Sequence, residues 1–520
     1  SGRAAASGFP FPLPGGGPVT GQPTRGWTIT PSLGLTQSYN DNVFFTANNR
    51  KSDFITNVNG GLAMAVDTAR LQGGLNATLG YNFYANQTRQ NGATLNGGGQ
   101  FLLTLVPDHL FISARGAATT QPFGSALDPQ ARTGTASGNL FRTYSVSLSP
   151  YGLYRFGGTA TAFAGYVFQY VDQNRVGRAP TESATTIEDL LRRRDAFATS
   201  FSSHQGYVGA RTGEDFGRLA MQGSLSGTWF EGSGLYEGAY RHLALLETRY
   251  AFLRSVAGLV EVGYERERFN TVPKTDIDGP VWAVGARLTP NPDSLIIVKY
   301  GRRDGFNSWR VNGTWAVGVR TTIFATYQET LTTSALFAAD LLSTTVLDPL
   351  GNPVDAQTGA PVLPGLLGQV IGASRTLSRQ KLGTAGISQT WPRDTISLTA
   401  TYLESTPIAT APGAPQQTLS IETTSFGLTW SRSLTPLTSM SVFGSYALNT
   451  TSVGNTAAPS SNDFTSISAG ASLGTSLSPS LGLGLTYQFR WRDNTTATAN
   501  RPGGGSAIQN VFTAGLRQSF

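Results

Sequence analysis

The feature that most constrains this chain is a two-residue alternation that recurs from Trp27 to the last residue. In "WTITPSLGLTQSY" the residues Trp27, Ile29, Leu33 and Leu35 share one side of the pattern, and mostly Thr and Ser share the other. Successive side chains of a β-strand point to opposite faces, so the pattern predicts strands with one apolar and one polar face. About 22 such segments follow one another, each of roughly 10–15 residues.

Composition indicates which strand-rich fold can use such a pattern. No run of about 18 apolar residues occurs, which excludes transmembrane helices. Only 13% of the residues are charged, whereas 39% are hydrophobic and 62 are glycine. A soluble β-solenoid or a stack of β-sandwiches would need a charged exterior and a packed interior. The sequence therefore predicts an all-β fold, a transmembrane antiparallel up-and-down outer-membrane β-barrel of about 22 strands.

Connections of two kinds separate the segments, and they alternate. Short turns include "DTAR", "VPDH", "RFGG", "TPNPD" and "SLSPS". Longer polar loops fall between them, near residues 40–52, 86–94, 121–140, 172–203, 231–237, 265–279, 302–307, 330–378, 405–418, 447–463 and 492–506. Short periplasmic turns and long extracellular loops are typical of outer-membrane barrels, so both chain ends are predicted on the periplasmic side. A weak turn signal around residue 250 leaves the strand count open by two.

The two ends of the chain differ in character. Residues 1–26 are rich in Gly and Pro and predict an extended periplasmic tail, while residues 27–520 form the predicted barrel. The opening "SGRAAASGFP" lacks the apolar core of a signal peptide, which suggests a mature or trimmed form. The tail is also short for a receptor plug, which weighs against a TonB-type receptor. The last strand puts Phe512, Leu516 and Phe520 on its apolar side and resembles the C-terminal signal that the barrel-assembly machinery reads.

One hairpin carries a specific motif. Residues 31–64 read "PSLGLTQSYNDNVFFTANNRKSDFITNVNGGLAM". The runs "YNDNVF" and "KSDFI" within it resemble the opening hairpin of the beta-barrel porin 2 family, and the rest of the chain resembles that family only as a generic barrel. The resemblance implies an outer-membrane barrel and associates the chain with exopolysaccharide production or export.

Three polar residues of this motif, Asp41, Asn42 and Asp53, fall where the first two strands leave the predicted barrel. Their carboxylate and amide oxygens are suited to a cation such as calcium. The alternative is that these side chains form turn hydrogen bonds at the mouth of the loop. The sequence favours the turn alternative.

The sequence contains no convincing catalytic or metal-binding set. It has no cysteine and only three histidines, His109, His204 and His242, none of them at a metal-ligand spacing from Asp or Glu. Ser202 or Ser203 could pair with His204, but adjacent residues of a strand point to opposite faces. We therefore predict that the protein is not an enzyme and uses no cofactor and no metal.

The polar faces of the strands predict the interior of the barrel. With the apolar face outward, the predicted interior contains these basic residues: Arg115, Arg211, Arg241, Arg249, Arg287, Lys299, Arg310, Arg320, Lys381, Arg490 and Arg517. Fewer acids share that face, with Glu247, Glu261 and Glu265 the clearest. An excess of guanidinium groups in a pore favours anions. The alternative is that these cations pair with acids across the wall or with anionic lipid near the rim.

A barrel of about 22 strands is wide enough to need a constriction or a plug. Residues 330–378 are too apolar for an exposed loop and predict an inward or extracellular constriction loop. Its candidate packing residues are Phe337, Leu341, Leu342, Leu363, Leu366 and Leu367. A second loop contains "IEDLLRRRDAF" at 187–197, which predicts a short helix.

Together these features predict a porin or export conduit in the outer membrane of a Gram-negative bacterium. The arginine-rich interior favours anionic solutes, and the family resemblance points to exopolysaccharide. The alternative is a plugged structural barrel that anchors a surface polymer or an envelope complex. The expected partners are outer-membrane lipid and lipopolysaccharide, the barrel-assembly machinery, and an anionic polysaccharide or an envelope protein. Nucleic acid is not expected, because the sequence has no basic helix and no aromatic-basic platform.

Overall fold

Each long strand of the chain pairs with the strands that precede and follow it, and the first pairs with the last. The computed structural model describes residues 26–122, 140–176, 199–333, 335–337, 345–347, 353–355, 376–413, 418–454, 460–494 and 506–520. In this part of the chain, 22 antiparallel strands form one sheet. Its first strand, β1 (Gly26–Asn40), pairs with its last, β24 (Ala507–Ser519), and this pairing closes the sheet. The predicted all-β, up-and-down barrel is confirmed.

The elements are numbered in chain order. The other barrel strands are β2 (Asp53–Asp67), β3 (Leu71–Tyr84), β4 (Gly92–Val106), β5 (Leu110–Pro122), β6 (Leu140–Phe156), β7 (Ala160–Val176), β8 (Thr199–Thr212), β9 (Leu219–Gly232), β10 (Tyr240–Ala251), β11 (Val256–Phe269), β12 (Thr275–Leu288), β13 (Leu295–Arg303), β14 (Phe306–Val317), β15 (Thr321–Thr333), β18 (Thr376–Thr390), β19 (Asp394–Thr410), β20 (Thr418–Thr435), β21 (Thr438–Gly454), β22 (Ser460–Ser476) and β23 (Leu481–Asn494). A separate two-stranded hairpin consists of β16 (Thr345–Leu347) and β17 (Pro353–Asp355). Short 3-10 turns occupy Thr88–Gln90, Glu214–Phe216 and Gly234–Tyr236. Among the described residues, no helix has the length and apolar character needed to span a membrane.

The outer face of the barrel is apolar. Along β1, Trp27, Leu33 and Leu35 are each more than 50% exposed, whereas Ser32 between them faces inward and is buried. The same alternation recurs in β24, where Phe512 is 55% exposed. A closed sheet satisfies its backbone hydrogen bonds internally and leaves its apolar side chains to lipid. The protein is therefore a barrel of the Gram-negative outer membrane, as predicted.

The strand connections alternate in length as predicted. Residues 68–70 alone join β2 to β3, and residues 436–437 join β20 to β21. The opposite end carries longer connections, such as 41–52 and 334–375. The start of β1 and the end of β24 lie at the short-turn, periplasmic end. Residues 1–25, most of the predicted tail, lie outside the described residues, as does the predicted helix at 187–197.

Two predicted loops are shorter than the sequence indicated. In the predicted loop at 302–307, only Asp304 and Gly305 connect β13 to β14, and both have positive φ angles, 54° and 80°. Positive φ at both positions is typical of the tightest hairpin turns. Strands β11 and β12 likewise extend into the predicted loop at 265–279. The hydrogen-bond ladder continues beyond the apolar band, so polar composition marks the edge of the membrane and not the end of a strand.

Glycines in the wall make room for aromatic rings that face the lumen. Phe163 on β7 is opposite Gly209 on β8, and Phe443 on β21 is opposite Gly470 on β22. A Cβ atom added at either glycine would overlap the facing ring. The rings cover backbone that would otherwise be bare, which accounts for part of the high glycine content.

Residues of the sequence motif tie the first loop to the last strand. The Asp41 carboxylate accepts hydrogen bonds from the backbone and side-chain amides of Asn510, both at 2.7 Å. Asn42 Nδ2 donates to the Ile508 carbonyl at 2.9 Å, and Gln509 Nε2 donates to the Asn42 carbonyl at 2.6 Å. We call these four contacts the closure contacts, because they join the strands that close the barrel.

Asp53 holds a different loop. Its carboxylate accepts hydrogen bonds from the backbone N–H groups of Asn86 at 2.9 Å and Gln87 at 2.7 Å. Asn42 bonds Thr46 within its own loop, as the turn alternative predicts. Asp41 instead bonds the last strand, and Asp53 bonds residues more than 30 positions away. In the described part of the chain, no group of three or more His, Cys, Asp or Glu side chains is suited to a metal ion.

Replacing Asn42 with alanine is expected to weaken the closure. Asn42 is fully buried, and its side chain also donates to the Thr46 carbonyl at 2.8 Å and accepts from the Thr46 N–H at 3.1 Å. With about 1 kcal/mol lost for each hydrogen bond, the free energy of unfolding should fall by roughly 2–4 kcal/mol. Urea unfolding in lipid vesicles, followed by tryptophan fluorescence, measures this change. The control is Asn48→Ala, at an exposed position of the same loop, which should be nearly neutral. Equal stability of both variants would contradict the closure role.

Candidate functional site

The lumen face of the barrel follows from the strand register, because residues paired across strands share a face. Most of the predicted interior cations alternate with exposed apolar neighbours and therefore face inward: Arg115, Arg211, Arg241, Arg249, Arg287, Lys299, Arg310, Arg490 and Arg517. The predicted acids Glu247, Glu261 and Glu265 also face inward. The lumen is therefore the candidate functional site.

Arg320 was wrongly predicted to face the lumen. It is exposed in the periplasmic turn 318–320, because the alternation of β14 ends at Val317. The sequence alone does not distinguish a basic residue in a turn from one on the inner face of a strand. That distinction requires the position at which the strand ends.

Lys381 was also wrongly predicted to face inward. It is opposite Glu404 and shares the sheet face of Ile387 and Leu398, which are both exposed, so it points outward. The Glu404 carboxylate accepts hydrogen bonds from Lys381 Nζ at 2.9 Å and from the Tyr402 hydroxyl at 2.6 Å. The outward positions of β18 become polar beyond the apolar band, so composition alone misassigned the face there.

The periplasmic half of the lumen carries inward-facing arginines. We call them the periplasmic arginines: Arg115, Arg155, Arg211, Arg249, Arg287 and Arg517. Arg155 and Arg211 are both opposite Thr161, so two guanidinium groups flank one position of the wall. Arg517 Nε donates to Ser32 Oγ at 3.1 Å and lies beside the closing seam. Cations that line one section of a pore raise the local concentration of anions there.

Acid–base pairing dominates the wall next to these arginines. The Glu261 carboxylate is 3% exposed and accepts hydrogen bonds from Lys299 Nζ at 2.6 Å and from Arg310 Nη2 at 2.5 Å. Lys299 Nζ also pairs with Glu247. Two acids and two bases form this group, which we call the four-charge network. The four-charge network therefore shows cations paired with acids across the wall, as one of the two alternatives predicts, and the periplasmic arginines form a separate group nearer the periplasm.

A buried apolar group lies at the extracellular end of the barrel. We call it the mouth cluster, and its residues are Val171, Phe201, Phe230, Leu235, Tyr236, Ala239, Phe269, Leu331, Ala335, Leu336, Leu377 and Ala411. Val171 belongs to β7 and Leu377 to β18, which lie nine pairing steps apart in the ring of strands. Nine steps are close to half of the ring, so the cluster extends across the mouth.

Hydrogen bonds between distant strands hold the mouth cluster in place. The Tyr236 hydroxyl, next to β10, hydrogen-bonds the Thr333 hydroxyl at the end of β15. The ring of Tyr236 stacks on that of Phe201, with centroids 4.2 Å apart. Val272, between β11 and β12, forms a backbone bridge with Thr410 at the end of β19. These contacts join parts of the wall that do not pair within the barrel.

Carboxylates fix the edge of the mouth cluster. Glu265 accepts hydrogen bonds from the backbone N–H groups of Asp304 at 2.9 Å and Gly305 at 3.0 Å, which draws the β13–β14 turn toward β11. The Asp304 carboxylate in turn accepts from the Leu331 N–H at 3.1 Å. Buried Glu267 pairs with Arg241 at 2.6 Å. Glu265, which the sequence predicted as a lumen charge, therefore supports the mouth.

The predicted constriction loop contributes to this cluster. Ala335 and Leu336 belong to the mouth cluster, and the predicted packing residue Phe337 is buried beside them. Leu341, Leu342, Leu363, Leu366 and Leu367 lie outside the described residues. The described start of the loop is therefore packed against the mouth and not exposed.

Arg490 has a structural setting that differs from the prediction. It faces inward but is buried, and it donates to Gln509 at 3.2 Å and Gln488 at 3.3 Å. Gln509 is also part of the closure contacts, so Arg490 supports the seam and not an open surface. Sequence reasoning missed Gln509, Tyr236 and Glu267, because only contacts between distant segments reveal their roles.

The three histidines lie on different elements of the barrel. Ser203 is buried on the inward side of β8, while His204 faces outward and contacts the Tyr166 hydroxyl at 2.5 Å. His109 lies in the short turn between β4 and β5, and His242 faces outward on β10.

Comparisons with known proteins return structures but no relatives by sequence. No protein-family model matches the chain, and no curated protein matches it. Among solved structures, the siderophore receptor PirA from Acinetobacter baumannii is 8% identical, with a TM-score of 0.49 over 96% of this chain and 81% of that one. The receptor PiuA from the same organism is 9% identical, with a TM-score of 0.49 over 95% and 82%. The ferric-catecholate import receptor Fiu from E. coli K12 is 10% identical, with a TM-score of 0.47 over 94% and 81%. Likeness at this level assigns no function.

Replacing Glu261 with glutamine is expected to destabilise the barrel. The substitution removes the carboxylate with which Arg310 pairs and leaves Lys299 paired with Glu247 alone. Breaking a buried pair costs several kcal/mol, and since the cations are partly exposed to the lumen we expect a loss of about 2–3 kcal/mol. Urea unfolding measures the loss, with Glu214→Gln in an exposed turn as the control. A change as small as that of the control would show that the network adds no stability.

Proposed function

We propose that this barrel is a gated conduit for anionic solutes across the outer membrane. The periplasmic arginines support this proposal most directly. They face the lumen from six strands, on both sides of the closing seam. A section lined by guanidinium groups attracts carboxylates, sulfates and phosphates through long-range charge and bidentate hydrogen bonds. The four-charge network beside it is internally paired and adds little net charge.

The mouth cluster supplies the gate in this proposal. It extends across the extracellular end and is held by a few hydrogen bonds between strands that do not pair in the barrel. Such contacts can be lost without breaking the closed sheet, since the barrel ladder does not include them. Passage then requires the mouth cluster to separate, on contact with a solute or a partner.

Exopolysaccharide is the solute that we propose, in its acidic forms. The support is the motif resemblance to the beta-barrel porin 2 family together with the cationic section of the lumen. An acidic polysaccharide presents carboxylates at regular intervals, which suits several arginines along one path. The barrel-assembly machinery and an envelope protein that delivers or receives the polymer are the proposed partners, and no enzymatic step is proposed.

A plugged structural barrel is the second candidate. The observation that favours it is the mouth cluster itself, whose aromatic and aliphatic side chains are buried as in a protein core. If this cluster never separates, the protein serves as an anchor for a surface polymer or an envelope complex.

Opening of the mouth is tested by single-channel recording in planar bilayers. We expect low or rare conductance for the unmodified protein, and frequent openings for Tyr236→Ala, because this change removes a stacked ring and a hydrogen bond from the mouth cluster. Thr333→Val leaves the stacked ring in place. It removes the hydrogen bond with Tyr236 and the one that the Thr333 hydroxyl accepts from the Leu336 N–H at 3.2 Å, and it should give an intermediate opening frequency. Folding of each variant is checked by its heat-dependent shift in gel mobility. Silent membranes for all three folded proteins would contradict the conduit and support the anchor.

Anion preference is tested in the Tyr236→Ala background by reversal potentials under a salt gradient. Arg249→Gln with Arg287→Gln removes two inward charges from neighbouring parts of the wall. We expect the ratio of anion to cation permeability to fall by roughly twofold. The matched control is Arg254→Gln with Arg320→Gln, which removes two exposed charges from periplasmic turns. An equal change in both double variants would mean that the lumen arginines do not set selectivity.

A further inference from the structure

The outer face of β11–β14 carries aromatic residues at one level. Tyr264, Trp282 and Trp309 point outward and are 53%, 38% and 53% exposed. Tyr300 shares this face, with its ring centroid 5.0 Å from that of Trp309. Aromatic side chains of this kind gather where the apolar core of a membrane meets its headgroups. They therefore mark the extracellular interface on this side of the barrel.

Basic side chains lie on the same outer face, at and beyond this aromatic level. Arg266 and Arg268 follow Tyr264 at alternate positions of β11, and Arg302 is opposite Trp282. All three arginines are exposed. Lys274, between β11 and β12, is exposed as well. Their direction is outward, toward lipid headgroups, and not into the lumen.

The acids on this face do not balance these cations. Asp278 lies 3.6 Å from Arg266 and accepts a hydrogen bond from the Tyr264 hydroxyl at 2.5 Å. Asp276 lies 3.4 Å from Lys274. The group contains four basic and two acidic residues, so its net charge is +2. We call the group the rim patch, and its members are Arg266, Arg268, Lys274, Asp276, Asp278 and Arg302.

We propose that the rim patch binds the phosphate groups of lipopolysaccharide in the outer leaflet. The patch is at the depth where a lipid headgroup lies, and the aromatic level below it is available to the acyl chains of the same molecule. Guanidinium groups bind phosphate through two parallel hydrogen bonds, and both existing ion pairs are exposed and open to exchange of partners. A lipid that carries both phosphate and acyl chains matches both halves of this surface. A free phosphate ion would use only the upper half.

The test uses the full chain purified in detergent, with diphosphoryl lipid A as the probe. Native mass spectrometry counts retained lipid, and titration gives the apparent affinity. The variant is Arg266→Ser, Arg268→Ser and Arg302→Ser together. The matched control is Arg218→Ser, Arg254→Ser and Arg320→Ser, which removes the same charge from exposed periplasmic turns. Heat-dependent gel mobility confirms that both triple variants are folded barrels.

We expect the rim variant to bind diphosphoryl lipid A at least tenfold more weakly, and the turn variant to bind it like the unmodified protein. Monophosphoryl lipid A should bind the unmodified protein more weakly than the diphosphoryl form. Equal weakening in both triple variants would overturn the proposal, because it would reflect net charge alone. Equal affinity for phosphatidylglycerol would also overturn it, since any anionic lipid would then serve. Should the rim variant fail to fold, Arg302→Ser alone must still lower the affinity for the proposal to stand.

Discussion

Closure of the hydrogen-bond ladder between β1 and β24 is the constraint on which the rest of the structure depends. In lipid, an unpaired strand edge would leave a row of backbone groups without partners, at several kcal/mol for each group. Two sets of hydrogen bonds close this edge. One is the backbone pairing of β1 with β24, and the other is the closure contacts around Asn42 and Gln509. Once the ring is closed, every strand has a fixed inside and outside. This fixed inner face determines which charged residues, aromatic rings and glycines meet in the interior.

Electrostatics divides the closed ring into regions with different chemistry. Glu261 and Glu247 together balance the charges of Lys299 and Arg310 within the wall, so the charges there are paired with one another. Nearer the periplasm, arginines concentrate on the inner face of the wall. On the outer face, Arg266 and Arg302 lie at and beyond the aromatic level, where headgroup phosphates are within reach. Arginine therefore occurs in three surroundings: in the paired network of the wall, on the inner face near the periplasm, and on the outer face at the aromatic level.

The mouth cluster links the conduit proposal to the anchor alternative. Its burial gives the extracellular end the character of a protein core, yet its parts come from strands up to nine pairing steps apart. Contacts such as Tyr236 with Thr333 therefore join opposite regions of the wall without belonging to the barrel ladder. An assembly of this kind can form or separate while the barrel stays closed, because its energy is additional to that of the sheet.

The sequence by itself determined the strands, their inside and outside faces, the alternation of turn lengths and the closed barrel, because a two-residue period is a local property that each segment carries alone. It also placed most lumen arginines correctly. It failed for Arg320, which lies in a turn just after the end of β14, and for Lys381, where β18 continues beyond the apolar band. Only the tertiary structure decided that Glu261 is paired, that Asn42 contacts residues more than 450 positions away, and that Phe201 and Leu377 belong to one cluster at the mouth. Those contacts depend on which strands the curvature of the closed sheet brings close to one another. The local sequence pattern of a single segment does not contain that information.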